Sequence, residues 1–235
     1  MSTILKNQLK GWYPVLEKTL QSDYFKGVKS AIKKDLKREE VYPKGSDIMK
    51  AFSLGQDPYH DGTATGLAFA NPTHCEVISP SLEIIIEEIE TNVGLIALPF
   101  NQNLEHWAKQ GVLLLNTSLT VIHAAPGSHL DLWEQFTERF ISDFSQLKPN
   151  VIYMLWGAHA QKYEKYIHKN NHILKAEHPI KDYYAIKDKD KKFIGCKHFN
   201  IANDMLKEDA IEWRYTKQQL EFLNGDTIKN NFDEI

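Results

Sequence analysis

Polar side chains follow four short apolar runs of the sequence, at the positions where each run ends. The runs cover residues 48–54, 112–115, 151–156 and 172–176, and the side chains behind them are those of Gln56, Asp57, Tyr59, His60, Asn116, His159 and His178. No cysteine nucleophile, glycine-rich phosphate loop or His/Glu pair at metal-ligand spacing accompanies them. This set is typical of a metal-free site that reads a polar ring and assists a leaving group or a water molecule.

Each of these residues also has a purely structural interpretation. Asp57 precedes a proline and is a common kind of turn opener, and Asn116 behind a strand is often a turn or cap residue. His178 taken alone is more often structural than catalytic, while Tyr59 and Phe69 are ordinary packing residues. Their coincidence at four strand ends nevertheless favours a site, because independent caps would not be expected to fall together in this way.

The elements that must position these residues alternate along the chain. The apolar runs are short and bounded by polar or turn residues, which is typical of buried strands. Helical stripes occupy 25–36, 82–89 behind Ser79 and Pro80, and 133–147. We therefore predict an α/β fold with three layers, α/β/α, around a central four-stranded parallel twisted sheet. Ligands of such sheets bind beyond the carboxyl ends of the strands.

The alternation of elements also indicates the domain organisation. No proline- or glycine-rich linker interrupts it, so we predict one domain over 1–213. Residues 214–235 are polar and weakly patterned, and we predict that they form a C-terminal extension.

The composition excludes several classes of protein. The two cysteines, Cys75 and Cys196, are too few for a disulfide framework, a cysteine-rich zinc site or an iron–sulfur cluster. No apolar run approaches the ~20 residues of a membrane helix, and the N-terminus lacks a signal-peptide core. We therefore expect a cytoplasmic protein, nucleoid-associated if bacterial, without membrane contact.

The net charge of −3 hides an uneven distribution of charge. Residues 1–50 carry 11 basic and 6 acidic side chains, whereas residues 51–150 carry 3 and 12. A protein that grips a short piece of nucleic acid needs positive charge only where it makes contact. The basic N-terminal segment and the lysine-containing loop after His178 are where we expect it.

The segment from Gly55 to His60, which reads Gly-Gln-Asp-Pro-Tyr-His, resembles the water-activating motif of the family 1 uracil-DNA glycosylases. The resemblance covers roughly residues 10–213 in matching order and spacing. It continues through residues 66–69, 80–82, 107–116, 119–121, 133–137, 155–157, 160–162, 178–179 and 195–199.

This resemblance implies a monofunctional, metal-independent enzyme of base excision repair. Such an enzyme flips uracil out of single- or double-stranded DNA and hydrolyses its N-glycosidic bond, leaving free uracil and an abasic site. No cofactor is expected. The resemblance implies that Asp57 positions the attacking water and stabilises the sugar cation, and that His178 donates a hydrogen bond to uracil O2 as the base leaves as an anion.

The resemblance also implies a uracil-binding set. Asn116 would pair with uracil N3–H and O4, which the edge of cytosine cannot match. Phe69 would stack on the flipped base, Tyr59 would exclude the methyl group of thymine, and the backbone of Gln56 would contact the base.

The loop after the histidine departs from the family pattern. Its usual sequence is His-Pro-Ser-Pro-Leu-Ser, with serines on phosphates and a leucine wedged into the duplex, whereas residues 178–185 read His-Pro-Ile-Lys-Asp-Tyr-Tyr-Ala. One hypothesis is that Tyr183 or Tyr184 replaces the leucine, with lysines supplying phosphate contacts. The alternative is that 181–192 is a solvated, mobile loop and that the wedge is lost.

Three further expectations concern the partners of the chain. The predicted DNA contacts are His60, Ser81, Pro179, Lys181, Tyr183 and Tyr184. The phage inhibitor protein that grips the family leucine should bind this chain more weakly, and the chain should be a monomer. The competing hypothesis is a catalytically weak DNA-binding or scaffold protein built on the glycosylase fold.

Overall fold

The computed structural model describes residues 21–35, 41–42, 55–95, 100–185, 190 and 192–215. The helices are α1 (Asp23–Asp35), α2 (Pro80–Asn92), α3 (Glu105–Lys109), α4 (Leu130–Leu147), α5 (Gly157–Gln161), α6 (Pro179–Tyr183) and α7 (His198–Leu206). The strands are β1 (Val41–Tyr42), β2 (Val121–Ile122), β3 (Ile152–Trp156) and β4 (His172–Ala176), and short 3-10 turns cover Glu164–Tyr166 and Lys207–Asp209.

These elements are divided between two compact units. The first unit consists of residues up to 72 together with 113–178, and the second consists of 73–112 together with the residues from 179 onward. None of the helices in the described ranges is long and apolar enough to cross a membrane.

The core of the first unit is built around α4. The apolar residues of this helix recur every three or four positions and form one buried stripe, which comprises Trp133, Phe136, Phe140, Ile141 and Phe144. Consecutive phenylalanines stack, with ring centroids 6.3 Å apart for Phe136 and Phe140 and 5.7 Å apart for Phe140 and Phe144. Phe25 of α1 and Leu155 of β3 belong to the same buried cluster. The predicted stripe at 133–147 is therefore confirmed as a helix, and the one at 25–36 is confirmed up to Asp35, since residue 36 lies outside the described residues.

Strands β3 and β4 pair in parallel from Ile152 opposite His172 to Trp156 opposite Ala176. A parallel bridge joins Gly55 to Asn116. The predicted α/β class is confirmed, and the runs at 151–156 and 172–176 form strands. Residues 112–115 form no ladder with any described residue, and the predicted strand at 48–54 lies outside the described residues.

An antiparallel pair of two-residue strands, β1 and β2, was not expected from the sequence. Val41 lies opposite Ile122, and Tyr42 lies opposite Val121. Strands of this length are too short to show an alternating pattern, so periodicity could not have revealed them.

The second unit packs apolar faces of α2 and α7 with the chain around α3. Helix α2 begins where the sequence predicted, with Ser79 at the N-cap and Pro80 in the first turn, and it buries Leu82, Ile85 and Ile89. The rings of Trp107, Phe199 and Trp213 form a mutually contacting cluster with centroid separations of 5.1–6.2 Å.

Candidate active site

Backbone hydrogen bonds in the first unit join the segment after the first apolar run to the segment after the second. Thr117 N donates to Gly55 O at 2.9 Å, and Ser118 N donates to Gln56 O at 2.8 Å. The Asn116 and Asp57 regions, which are about 60 residues apart in sequence, are thereby held side by side. The expectation that polar residues behind different strands converge is met for these two segments.

Gly55 allows this approach because it lacks a side chain. A Cβ atom at Gly55 would lie 2.2 Å from Asn116 Oδ1 and 2.8 Å from the Cβ of Ala68. Both separations are far below van der Waals contact, and neither neighbour is the end of a long flexible side chain. Residue 55 must therefore be glycine, because the Asn116 carboxamide occupies the space that a side chain would need.

Asn116 presents a buried acceptor that the rest of the described chain does not use. The residue is only 6% exposed, and its Oδ1 has no hydrogen-bond donor among the described residues. A buried polar atom without a partner costs about 1–3 kcal/mol. A ligand N–H that reached this oxygen would remove that cost, so the geometry is suited to binding a ring with a donor on its edge.

The carboxylate of Asp57 is held from two sides. Gly127 N donates to Asp57 Oδ2 at 2.5 Å, and Gln56 Nε2 donates to Asp57 Oδ1 at 3.3 Å. Gly127 has a φ of +79°, in the region that favours glycine, which lets the turn present its N–H to the carboxylate. The sequence analysis did not identify Gly127, because nothing local connects it to a residue 70 positions earlier.

His178 and Phe69 lie near each other in the first unit. Their ring centroids are 6.1 Å apart, and the Phe69 ring is 5.5 Å from that of Trp156. Phe69 has a φ of +62°, a conformation that costs a residue with a side chain about 1–2 kcal/mol. Strain of this kind is often found at functional sites. A Cβ atom at Gly157 would lie 2.8 Å from His178 Cβ, so this glycine provides the space for the histidine.

Tyr59 and His60 continue the motif along the same segment. The Tyr59 hydroxyl donates to Phe69 O at 3.5 Å, a long hydrogen bond that links the two aromatic residues. His60 O accepts a hydrogen bond from Ala124 N at 3.0 Å, and both Tyr59 and His60 are partly exposed.

His159, behind β3, contacts this site through Thr117. The His159 Nε2 atom lies 2.7 Å from Thr117 Oγ1. Burial, with contributions from Lys162 and His178, lowers the pKa of His159 to about 4, so its ring is neutral at pH 7. Within the described ranges, no group of three or more His, Cys, Asp or Glu side chains is arranged to hold a metal ion.

Comparison with known proteins shows the family. The sequence model of the uracil DNA glycosylase superfamily matches residues 42–207. A uracil-DNA glycosylase of Fusobacterium nucleatum is 38% identical over 227 residues, covering 89% of this chain and 97% of that protein. One of Amoebophilus asiaticus is 40% identical over 219 residues, with coverage of 87% and 96%. This chain belongs to the uracil-DNA glycosylase superfamily.

Solved structures agree with that assignment. Mimivirus uracil-DNA glycosylase superposes with a TM-score of 0.76 at 24% identity, covering 90% of this chain and 88% of that one. A tyrosine-to-leucine variant of the mimivirus protein in complex with UGI gives a TM-score of 0.78 at 25% identity, with coverage of 89% and 90%. The chain described here is thus a DNA repair glycosylase, and its fold is that of its family.

The residues predicted to contact DNA outside the first unit lie on two helices of the second, except Tyr184, which directly follows α6. Ser81 is in the first turn of α2, and Pro179 begins α6 and is buried. Lys181, Tyr183 and Tyr184 are exposed, the two tyrosines by 44% and 72%. The tyrosine rings are perpendicular, with centroids 5.3 Å apart.

Asp182, four residues after His178, is buried. Its carboxylate accepts hydrogen bonds from the backbone N–H groups of Lys192, Phe193 and Ile194, each at 2.8 Å. The side chain is 2% exposed, so it is not part of a solvated loop and cannot act as a wedge. The hypothesis of a fully solvated segment over 181–192 is therefore wrong at Asp182.

Glu88 of α2 anchors the next part of the same segment. It is completely buried, and its carboxylate accepts hydrogen bonds from Gly195 N and Lys197 N. The sequence analysis missed both Glu88 and Asp182, because buried carboxylates are uncommon and no local pattern distinguishes them from exposed ones.

Proposed function

We propose that this glycosylase flips uracil from DNA into the site beside Gly55 and hydrolyses its N-glycosidic bond without a metal ion. The observation that supports this most directly is the buried Oδ1 of Asn116, which has no partner among the described residues and is held next to the Asp57 segment by backbone hydrogen bonds. A catalytic carboxylate and an edge-reading carboxamide are thereby combined in one compact unit.

Asn116 supplies the discrimination between bases. Its Oδ1 accepts from uracil N3–H, while its amide group donates to uracil O4. Cytosine presents an acceptor at N3 and an amino group at C4, so both contacts would be reversed. The preference then follows from hydrogen bonds that the wrong base leaves unmade at a buried site.

Asp57 and His178 carry the chemistry in this proposal. As the bond to the base breaks, the sugar becomes cationic, and the Asp57 carboxylate stabilises that charge and orients the attacking water. His178 donates a hydrogen bond to uracil O2, where negative charge develops in the transition state. The backbone of Gln56 contacts the base beside them.

Two aromatic residues complete the pocket. Phe69 stacks on the flipped base. Stacking of a base on an aromatic side chain contributes about 1–3 kcal/mol to the binding free energy in other nucleic-acid-binding proteins. Tyr59, linked to Phe69 through its hydroxyl, fills the space next to C5 and excludes the methyl group of thymine.

The proposal is tested by measuring release of free uracil from single- and double-stranded uracil-containing oligonucleotides in the presence of EDTA. We expect release from both substrates. Binding of uracil DNA without release would instead support the scaffold alternative, and activity that EDTA abolishes would contradict metal independence.

Replacing Asn116 by aspartate should allow the enzyme to release cytosine from DNA. A carboxylate offers two acceptors, so it tolerates the amino group of cytosine, whereas uracil O4 loses its donor. Chromatography of bases released from cytosine- and uracil-containing oligonucleotides measures this change. Asn103→Asp, at a partly exposed loop position, is the matched control and should leave the preference for uracil unchanged. If Asn116→Asp releases no cytosine, Asn116 does not read the base edge.

DNA is held, in our proposal, by His60, Ser81, Pro179 and Lys181, with an exposed tyrosine in the role of the family leucine. Intercalating wedges need a large apolar face, which Tyr183 and Tyr184 both offer five and six residues after His178. The three N–H bonds to Asp182 stabilise the helix that carries Tyr183.

The double substitution of Tyr183 and Tyr184 by alanine should slow uracil excision from duplex DNA by about tenfold or more and affect single-stranded substrate less. A wedge compensates for unstacking the target base, which costs a few kcal/mol in a duplex and little in a single strand. Excision rates on paired single- and double-stranded oligonucleotides provide the measurement. Equal rates for the variant and the parent on duplex DNA would exclude the wedge, and Tyr215→Ala serves as the control.

The remaining proposals concern structure and partners. We propose that 48–54 and 112–115 complete a four-stranded parallel sheet with β3 and β4, and that 1–213 is one catalytic domain with 214–235 as an extension. We also propose a cytoplasmic monomer with weak affinity for the phage inhibitor protein, since the leucine it grips is absent. Stoichiometric inhibition at nanomolar concentration would contradict the last point.

A further inference from the structure

Thr117, the residue after Asn116, uses all of its polar atoms to connect the active-site segments of the first unit. It is 1% exposed, and its Oγ1 lies 2.8 Å from Gln56 O and 2.7 Å from His159 Nε2. Its N–H donates to Gly55 O, and its carbonyl accepts a hydrogen bond from Thr137 Oγ1 at 2.7 Å. The buried hydroxyl of Thr117 therefore lies at the centre of a partly buried network.

The direction of these hydrogen bonds follows from the number of hydrogens available. A carbonyl can only accept, so the single hydrogen of the Thr117 hydroxyl is donated to Gln56 O. The hydroxyl oxygen must then accept, and the neutral ring of His159 donates to it through Nε2–H.

The series of hydrogen bonds through Thr117 ends at the peptide group between Gln56 and Asp57. Gln56 O accepts from both Thr117 Oγ1 and Ser118 N, each at 2.8 Å, so both of its lone pairs are occupied. Gln56 C=O and Asp57 N–H belong to one planar peptide, so fixing the carbonyl also fixes the starting point of the Asp57 side chain. Gly127 N then holds the carboxylate itself.

We propose that Thr117 is a positioning residue for Asp57, oriented by the N–H donor of His159 and acting through the carbonyl of Gln56. This inference rests on the proposed role of Asp57 in holding water. Because small displacements of a catalytic group are costly, the hydroxyl of Thr117 should affect the chemical step rather than DNA binding. Neither Thr117 nor His159 needs to touch the substrate for this effect.

The test compares Thr117→Val with Thr117→Ser in the full-length enzyme. Valine has nearly the same shape as threonine but lacks the hydroxyl, and we expect it to lower kcat by about tenfold or more while KM stays within about twofold. Serine retains the hydroxyl and should restore most of kcat. Thr91→Val on α2, at an exposed position, is the matched control and should leave both constants unchanged.

A second comparison asks whether Thr117 acts through Asp57. In an Asp57→Asn background, Thr117→Val should cause no further loss of kcat, since the group it positions has been removed. An additional tenfold loss there, or equal kcat values for the serine and valine variants, would overturn the proposal. If Asp57→Asn by itself did not lower kcat, the proposed function of Asp57 would be overturned instead. The two failures are therefore distinguishable.

Melting temperatures of all variants separate positioning from a general loss of folding. If Thr117→Val does not fold, His159→Phe carries the test, because it removes the donor to Thr117 and retains an aromatic ring. We expect it to lower kcat with little change in KM, and His159→Gln, which keeps an N–H donor, to be closer to wild type. Unchanged kcat in the folded His159→Phe variant would overturn the proposal.

Discussion

Replacing Asp57 by asparagine is expected to slow uracil excision by about 10²–10⁴-fold. The carboxylate receives N–H donors on both oxygens, from Gly127 and from Gln56. An asparagine has one acceptor oxygen and one NH₂ group, so one of these donors must face another donor. The variant also lacks the negative charge that stabilises the cationic sugar. Single-turnover excision from a duplex oligonucleotide measures the effect.

The matched control for this prediction is Asp61→Asn. Asp61 lies four residues further on, is exposed, and bonds only locally to Thr63 among the described residues. The same loss of charge at this position should change the rate by less than about threefold. If Asp57→Asn retained the wild-type rate while binding uracil DNA normally, Asp57 could not be the residue that holds the water.

Replacing Gly55 by alanine should reduce excision by at least about 100-fold. The new methyl group would overlap Asn116 Oδ1 and the Cβ of Ala68, so the base-reading carboxamide, the Gly55 backbone or both must shift. A displacement of about 1 Å at a catalytic site costs on the order of 10²-fold in rate. The prediction is measured by single-turnover rate and by the melting temperature of the variant.

Gly27 supplies the control for this substitution, because the chemical change is identical and the surroundings differ. Gly27 lies on α1, and a Cβ atom there would meet no atom within 4 Å. Gly27→Ala should keep the wild-type rate and raise the stability of the protein by about 0.5–1 kcal/mol, since alanine favours the helix. A Gly55→Ala variant with the wild-type rate would show that the site tolerates a displaced Asn116.

Local periodicity was sufficient for several elements of the fold. The stripes of α1, α2 and α4 repeat at the helical spacing, and β3 and β4 are short apolar runs bounded by polar or turn residues, so a short window contains the information needed for each. The two-residue strands β1 and β2 have no such repeat. They form because Val41 and Ile122 meet in the folded chain, which no local window can show.

Residues that support the site through contacts between distant parts of the sequence could not be predicted from the sequence either. Gly127, Gly157 and Thr117 act by contact with residues 20 to 70 positions away in the chain. Asp182 and Glu88 are carboxylates in positions that composition rules assign to the surface. Their burial is possible because backbone N–H groups of residues 192–197 satisfy them.

The α/β class, the family resemblance and the residues proposed to act on uracil follow from residue type and from order along the chain, so the sequence alone is sufficient to predict them. The folded structure is needed to see that Asn116 Oδ1 is buried without a partner among the described residues, that Gly55 makes room for it, and that Asp182 is an anchor and not a wedge. These facts depend on which distant segments come into contact. Hydrogen-bond satisfaction and steric fit are properties of those contacts, so they exist only in the folded chain.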